Sequence, residues 1–207
     1  MKLATISLFV SAAITCYAQQ LPTPNSKMPI AEFQQLVARC APGVAVETMV
    51  AIAKTESSFH VAAISLNRPV AAARRAGWMN HRIELLRQPK DREEAIRWMH
   101  WFADRHYTVS VGLMQINIEN ARRFGLRPEQ LFDTCTNITV GGAILGTTYA
   151  QAIQAQKTSN DALLDSISIY NSGSRNTGYA NGYVGTVVKN ASHASGLTDD
   201  SNSKQTR

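Results

Sequence analysis

Apolar residues recur at helical spacing along most of this chain. In "AEFQQLVARCA" Phe33, Leu36, Val37 and Cys40 fall on one stripe. Pro42 and Gly43 break the pattern, and "VETMVAIAKTES" resumes it with Val46, Met49, Val50, Ile52 and Ala53 on a broad apolar arc. "KDREEAIRWMHWFADRHY" opens with Asp91 and Glu94 at capping-box spacing and carries Ala95, Trp98, Met99 and Phe102 on one face. "NIENARRFG" follows a cap at Asn117, and "RPEQLF" has Pro128 where a helix start tolerates the missing N–H. "NITVGGAILGTTYAQAIQAQ" predicts a long helix, with Gly142 and Gly146 spaced for close approach of another helix. "NDALLDSISIYN" and "GYVGTVVKN" complete the set. Only "VAAIS" and "YTVSV" suggest strands. The pattern predicts a compact, mainly α domain with a small β element beside its cleft.

Both ends depart from this pattern. Lys2 precedes an apolar run from Leu3 to Ile14, and Cys16 and Ala18 are small residues at cleavage-site spacing. That run is too short to span a bilayer, which takes about 20 apolar residues. Residues 1–18 are therefore expected to be a secretory signal peptide cut after Ala18, with no stable membrane insertion. Ala13 and Thr15 fit a lipoprotein motif around Cys16 poorly. Residues 19–29, "QQLPTPNSKMP", read as a linker. Residues 30–190 are the expected domain, and the polar residues 191–207 an unstructured tail.

Export changes how composition and charge are understood. The chain has 207 residues, 44% hydrophobic and 17% charged, ample for one core. Its net charge of +6 falls by one once Lys2 is removed, and the segment Arg68–His106 carries most of the remaining excess. A basic face suits an anionic partner. For an exported chain that is an envelope polymer rather than nucleic acid. Cleavage also removes Cys16, leaving Cys40 and Cys135 as a disulfide or as two buried thiols. His81, His100 and His106 lack metal-site spacing, and neither a metal nor a cofactor is expected.

One residue conflicts with its helix. At about 100° per residue, Glu56 points between the directions of Ile52 and Met49, into the apolar arc and near a helix C-terminus. Burial and the helix dipole both favour the protonated form there. A carboxyl that keeps its proton near neutral pH can act as a general acid. The alternatives on the residues alone are that Glu56 frays into solvent or pairs with an arginine.

Its company extends the reading. "TESSF", then "VGLMQIN" at 111–117, then "IYNSG" at 169–173, in that order, resemble the signature of lytic transglycosylases, which have the goose-lysozyme-like fold and cut peptidoglycan. The resemblance covers roughly Ala31 to Asn190. "CAPGVAVETMVAIAKTESSF", the long gap before "VGLMQIN", and "LFDTCTNITVGGAIL" are similar to the subgroup encoded with type IV secretion and conjugation machines. It implies an α+β lysozyme-like fold and a Cys40–Cys135 bridge. It also implies periplasmic location, peptidoglycan glycan strands as substrate, and type IV secretion components as partners.

By that resemblance Glu56 is the catalytic acid and later the base. Ser57 lies near acid and substrate. Gly112, Leu113, Met114, Gln115 and Ile116 line the cleft, with Gln115 offering its amide and Gly112 admitting the sugar. Tyr170 and Asn171 form the family pair whose tyrosine hydroxyl lies beside the acid, and Tyr183 is a later cleft tyrosine. Met114 and Ile116 read more as packing than as chemistry, and Tyr170, on one helical face with Leu163 and Ile167, also reads as a core aromatic. Trp101, on the polar side of its helix, is a candidate for stacking on a sugar or a partner.

The implied reaction cleaves the bond between N-acetylmuramic acid and N-acetylglucosamine. Glu56 protonates the bridging oxygen, the substrate's N-acetyl oxygen assists, and the C6 hydroxyl then closes a 1,6-anhydro ring. Two-carboxylate glycosidases need a partner acid; here only Asp104, Glu119 and Asp133 lie nearby in sequence, and none has a family counterpart. Two other readings use the same residues: a lysozyme in which water replaces the C6 hydroxyl, and a wall-binding assembly factor without catalysis.

Overall fold

The structure, a computed structural model, describes residues 27–67, 85–155 and 157–202. The expected signal peptide, most of the linker, and residues 68–84 with Trp78 and His81 lie outside them.

The first helix, α1 (Ile30–Cys40), buries the stripe expected of it, Phe33, Leu36, Val37 and Cys40. After the Pro42–Gly43 break, α2 (Val46–Glu56) buries Met49, Val50, Ala51, Ile52 and Ala53. It is the central helix of the core, and its C-terminal end carries Glu56.

Three short strands follow: β1 (Ile64–Asn67), β2 (Thr108–Val111) and β3 (Ile116–Asn117). They form one antiparallel sheet in the order β1-β2-β3, with Ile64 opposite Val111 and Val111 opposite Ile116. The first strand starts three residues later than "VAAIS" suggested, and β3 is too short to leave a sequence signal. Gln88 bonds β1 at Ile64: its Oε1 accepts from the Ile64 N–H at 2.8 Å and its Nε2 donates to the Ile64 carbonyl at 3.1 Å, which satisfies both backbone groups of that residue.

Between β1 and β2 lies α3 (Arg92–Ala103), capped by Asp91, whose Oδ1 accepts from the Glu94 N–H at 2.7 Å. The reciprocal half of the expected capping box is absent. Glu94 instead binds the Lys90 N–H and the Arg87 guanidinium. Ala95 and Met99 are buried as expected, whereas Trp98 and Phe102 are only half-buried.

The second half is helical. Asn117 caps α4 (Ile118–Arg123), accepting from Glu119 N–H, and a 3-10 turn spans Pro128–Phe132. Next come α5 (Thr134–Gln154), α6 (Ser159–Ser172), α7 (Thr177–Ala180) and α8 (Tyr183–Asn202). A disulfide joins Cys40, ending α1, to Cys135 in the first turn of α5, with Cα atoms 5.4 Å apart. Beside it, the Thr139 hydroxyl donates to the Cys40 carbonyl at 2.8 Å. A Cβ on Gly142 would stand 2.8 Å from that of Ala41, so this glycine permits the approach of the chain leaving α1. Gly146 has nothing within 4 Å and makes no such contact.

The last helix packs along α2, burying Val184 and Val187, and Asn190 donates to the Thr55 hydroxyl at 2.9 Å. It runs through Asn202, beyond the expected end of ordered structure at residue 190. The stretch "ASHASGLTDDSN" is polar but holds no proline, so nothing in it forces the helix to stop. The sequence expectation of a mainly helical fold with a small β element holds.

Candidate active site

The site begins where α2 ends. Glu56 is its last helical residue, and Ser58 and Phe59 then take left-handed conformations at φ 49° and 66°. For residues with a Cβ each such step costs about 1 kcal/mol or more. Packing offsets it here: Phe59 is buried, its ring edge-on to Phe33 with centroids 5.3 Å apart. The reversal ends the helix on Glu56 and turns the chain towards the sheet.

Opposite this end lies the turn Gly112–Gln115, linking β2 to β3. Gly112 has φ 79° and donates its N–H to the Ala63 carbonyl at 2.9 Å. Three side chains from distant elements hold its backbone. The Ser57 hydroxyl donates to the Leu113 carbonyl at 2.8 Å. The Tyr170 hydroxyl donates to the Met114 carbonyl at 2.7 Å. Asn137 accepts from the Met114 N–H at 2.8 Å, while its own amide donates to the Val111 and Leu131 carbonyls.

Glu56 itself is half-buried. Tyr183, the first residue of α8, donates its hydroxyl to Glu56 Oε1 at 2.5 Å. Burial pushes the carboxyl up to about 7, and the Tyr183 hydrogen bond opposes that rise. Burial and the neighbouring Glu56 charge raise both tyrosine hydroxyls above their ordinary value, so both stay protonated donors. Oε2 has no hydrogen-bond partner among the described residues. The three acids near in sequence are elsewhere engaged or exposed: Asp133 caps α5, Glu119 pairs with Arg122, and Asp104 is exposed at the end of α3.

The hydrogen bonds of the expected residues divide between the acid and the turn. Tyr183 bonds the carboxyl, while Tyr170, near enough to feel the Glu56 charge, gives its hydroxyl to the Met114 carbonyl. Ser57 bonds the turn and the Ala53 carbonyl, with no bond to Glu56. Gln115 directs its amide nitrogen to the Ala63 and Gly112 carbonyls, at 3.2 and 2.9 Å. Gly112 has a conformational reason to be glycine, and a Cβ there would also meet Asn137 Cγ at 2.7 Å. Asn171 is exposed and accepts from Asn181, whose Oδ1 in turn accepts from the Tyr183 N–H at 3.0 Å. Met114 is fully buried.

Sequence reasoning missed Asn137, Gly141 and Asn181. The available signal for Asn137 was an amide placed in the otherwise apolar start of a long helix, "TNITVGG". Trp101 is half exposed, with the Arg105 guanidinium 3.8 Å above its ring. It borders a cavity of about 320 Å³ with Leu85, Arg97, Trp98 and Phe102, apart from Glu56. Among the described residues no cluster of His, Cys, Asp and Glu could hold a metal ion, and no helix is long and apolar enough to cross a membrane.

Comparison with known proteins adds an independent line. The family model described as "Transglycosylase SLT domain" matches residues 35–192. "Protein virB1" of Rhizobium radiobacter is 33% identical over 189 residues, covering 90% of this chain and 68% of that protein. "Protein virB1" of Agrobacterium fabrum is 36% identical over 163 residues, 77% of this chain and 59% of that protein. "Type IV secretion system protein virB1" of Brucella abortus is 32% identical over 165 residues, 77% and 63%. The chain thus spans between 59% and 68% of these relatives' length. No solved structure is matched.

Proposed function

The chain belongs to the transglycosylase SLT domain family, and from that premise we propose that it is a peptidoglycan lytic transglycosylase of a type IV secretion or conjugation apparatus. It acts in the periplasm, opening the wall locally for assembly. One observation carries the chemistry: a half-buried carboxyl, raised to about 7 and held by a tyrosine through one oxygen, with no second carboxylate among the described residues acting on it.

A carboxyl near 7 is about half protonated at neutral pH, which suits a group that gives a proton and takes one back. Tyr183 donates to Oε1, so the acidic proton sits on Oε2 and is offered to the glycosidic oxygen. Protonation of that oxygen breaks its bond to the anomeric carbon of N-acetylmuramic acid, whose N-acetyl oxygen supports the developing positive charge. The Glu56 carboxylate then accepts the proton of the C6 hydroxyl as its oxygen bonds the anomeric carbon. The acid is restored and no water is consumed. Two-carboxylate mechanisms place the acids about 5–10 Å apart, and among the described residues no second carboxylate figures in what shifts Glu56.

The strapped turn Gly112–Gln115 forms the cleft wall opposite the acid. Gln115 Oε1 has no hydrogen-bond partner among the described residues and is the acceptor offered to a sugar hydroxyl or amide. Ser57 and Tyr170 hold the wall, and Asn171 acts through Asn181 on Tyr183. The relatives' names, virB1 and type IV secretion system protein virB1, support the assignment to a secretion machine.

Mass spectrometry of soluble products from purified peptidoglycan tests this reading, with the mature protein beside Glu56→Gln. Anhydromuropeptides from the wild type alone are expected. Products heavier by one water would instead make the enzyme a lysozyme. Wall binding without products from either protein would leave an assembly factor.

A further inference from the structure

The acid and its tyrosine come from α2 and α8, but the wall facing them is fixed by α5. Asn137 and Gly141 stand one helical turn apart on that helix and so share a face. Both meet Met114. Asn137 is fully buried and uses both functions of its amide: Oδ1 holds the Met114 N–H, and Nδ2 donates to the Val111 carbonyl at 3.0 Å and the Leu131 carbonyl at 2.8 Å. These are the residue before Gly112 and a residue of the 3-10 turn, so one side chain ties β2, the cleft turn and the helix start together.

Gly141 contributes by lacking a side chain. A Cβ there would lie 3.0 Å from Met114 Cβ, 3.1 Å from Met114 Cγ and 3.2 Å from the Tyr170 hydroxyl. Its backbone conformation is ordinary helix, so no positive φ demands glycine. A glycine inside a helix costs about 0.5–1 kcal/mol relative to alanine. The close seating of Met114 and Tyr170 is what this glycine provides.

We propose that Asn137 and Gly141 are positioning residues for the reaction: together they seat Met114 so that its carbonyl receives the Tyr170 hydroxyl, closing the cleft wall beside Glu56. The inference rests on Glu56 being the acid, as proposed above. Among the described residues Tyr183 from α8 bonds Glu56, and the Glu56 charge is felt at the hydroxyl of Tyr170 from α6, which places Tyr170 beside the acid. A displaced Met114 therefore reaches the acid through Tyr170.

Gly141→Ala separates this role from a structural one, because helix propensity and positioning act in opposite directions. Release of soluble muropeptides from purified peptidoglycan is measured across pH for wild type, Gly141→Ala, Asn137→Ser and Glu56→Gln, with melting temperatures alongside. The expected result is a Gly141→Ala protein that melts no lower than wild type yet turns over about tenfold more slowly, since small misplacements at a reacting centre are costly. Its alkaline limb also moves to lower pH as water reaches the carboxyl. Asn137→Ser shifts the limb the same way. Wild-type turnover and an unmoved limb in Gly141→Ala overturn the proposal. So does a loss of activity accompanied by a lower melting temperature or failure to fold. A wild type that releases no more than Glu56→Gln would reject the function itself, which is a different outcome.

Discussion

The Tyr183 hydroxyl donates to the Glu56 carboxyl across 127 residues of sequence, joining the first residue of α8 to the last of α2. Burial and this bond act on Glu56 in opposite directions, burial upward and more strongly. Tyr183→Phe removes only the lowering influence. The alkaline limb of peptidoglycan cleavage should therefore move to higher pH. The maximal rate should fall about ten- to a hundredfold, because Oε1 is no longer held and the acid loses its orientation. A pH–rate profile checks both, and a limb that stays or moves down would contradict the assignment.

The same carboxyl makes stability depend on pH. Its folded value, about 7, lies above the ordinary 4.5. Below about pH 4.5 both states are protonated and the fold bears no cost. As pH rises through that window the unfolded chain ionises first, and stability falls until the folded carboxyl has also ionised. Glu56→Gln does not titrate. It should be more stable than wild type by about 2–3 kcal/mol at pH 8 and gain little at pH 4. Urea unfolding at both values tests this; a difference independent of pH would refute it.

The helices and the unusual placing of Glu56 were legible because each rests on local pattern. The α1 stripe, the Pro42–Gly43 break and the caps at Asp91 and Asn117 are decided within a few residues. Glu56 stood out because it conflicted with its own helix face. The site's hydrogen bonds were not legible in the same way. The bonds from Ser57 to Leu113 and from Tyr170 to Met114 each span 56 residues and depend on how α2, α6 and the turn pack. Asn137 serves three backbone groups that no sequence pattern brings together. Gly142 and Gly146 look alike in sequence, but only Gly142 meets another element, because that depends on where α1 ends.

Gly112 should not tolerate a side chain. At φ 79° an L-residue is strained, and a Cβ would press on Asn137, whose amide is committed to three backbone groups. Gly112→Ala is expected to lose about 2–4 kcal/mol of stability from left-handed strain and overpacking together. Gly146→Ala is the comparison, since its Cβ would meet nothing within 4 Å. It should be neutral or stabilising. Chemical denaturation of the two variants decides it, and equal effects would refute the geometric reason given for Gly112.

The Cys40–Cys135 bridge closes a sequence separation of 95 residues and anchors the first turn of α5 to the end of α1. Asn137 lies two residues beyond Cys135, on the same turn, and Thr139 ties that turn to the Cys40 carbonyl. Reduction should therefore do more than release the unfolded chain. Stability is expected to fall by about 2–4 kcal/mol, seen as a lower urea midpoint with reductant present. At a temperature where the reduced protein remains folded, peptidoglycan cleavage should also slow, because the helix carrying Asn137 is held less firmly. A Cys40→Ser, Cys135→Ser protein should behave like the reduced enzyme in both assays and not respond to reductant. Full activity of the folded, reduced protein would confine the bridge to stability and separate it from the cleft.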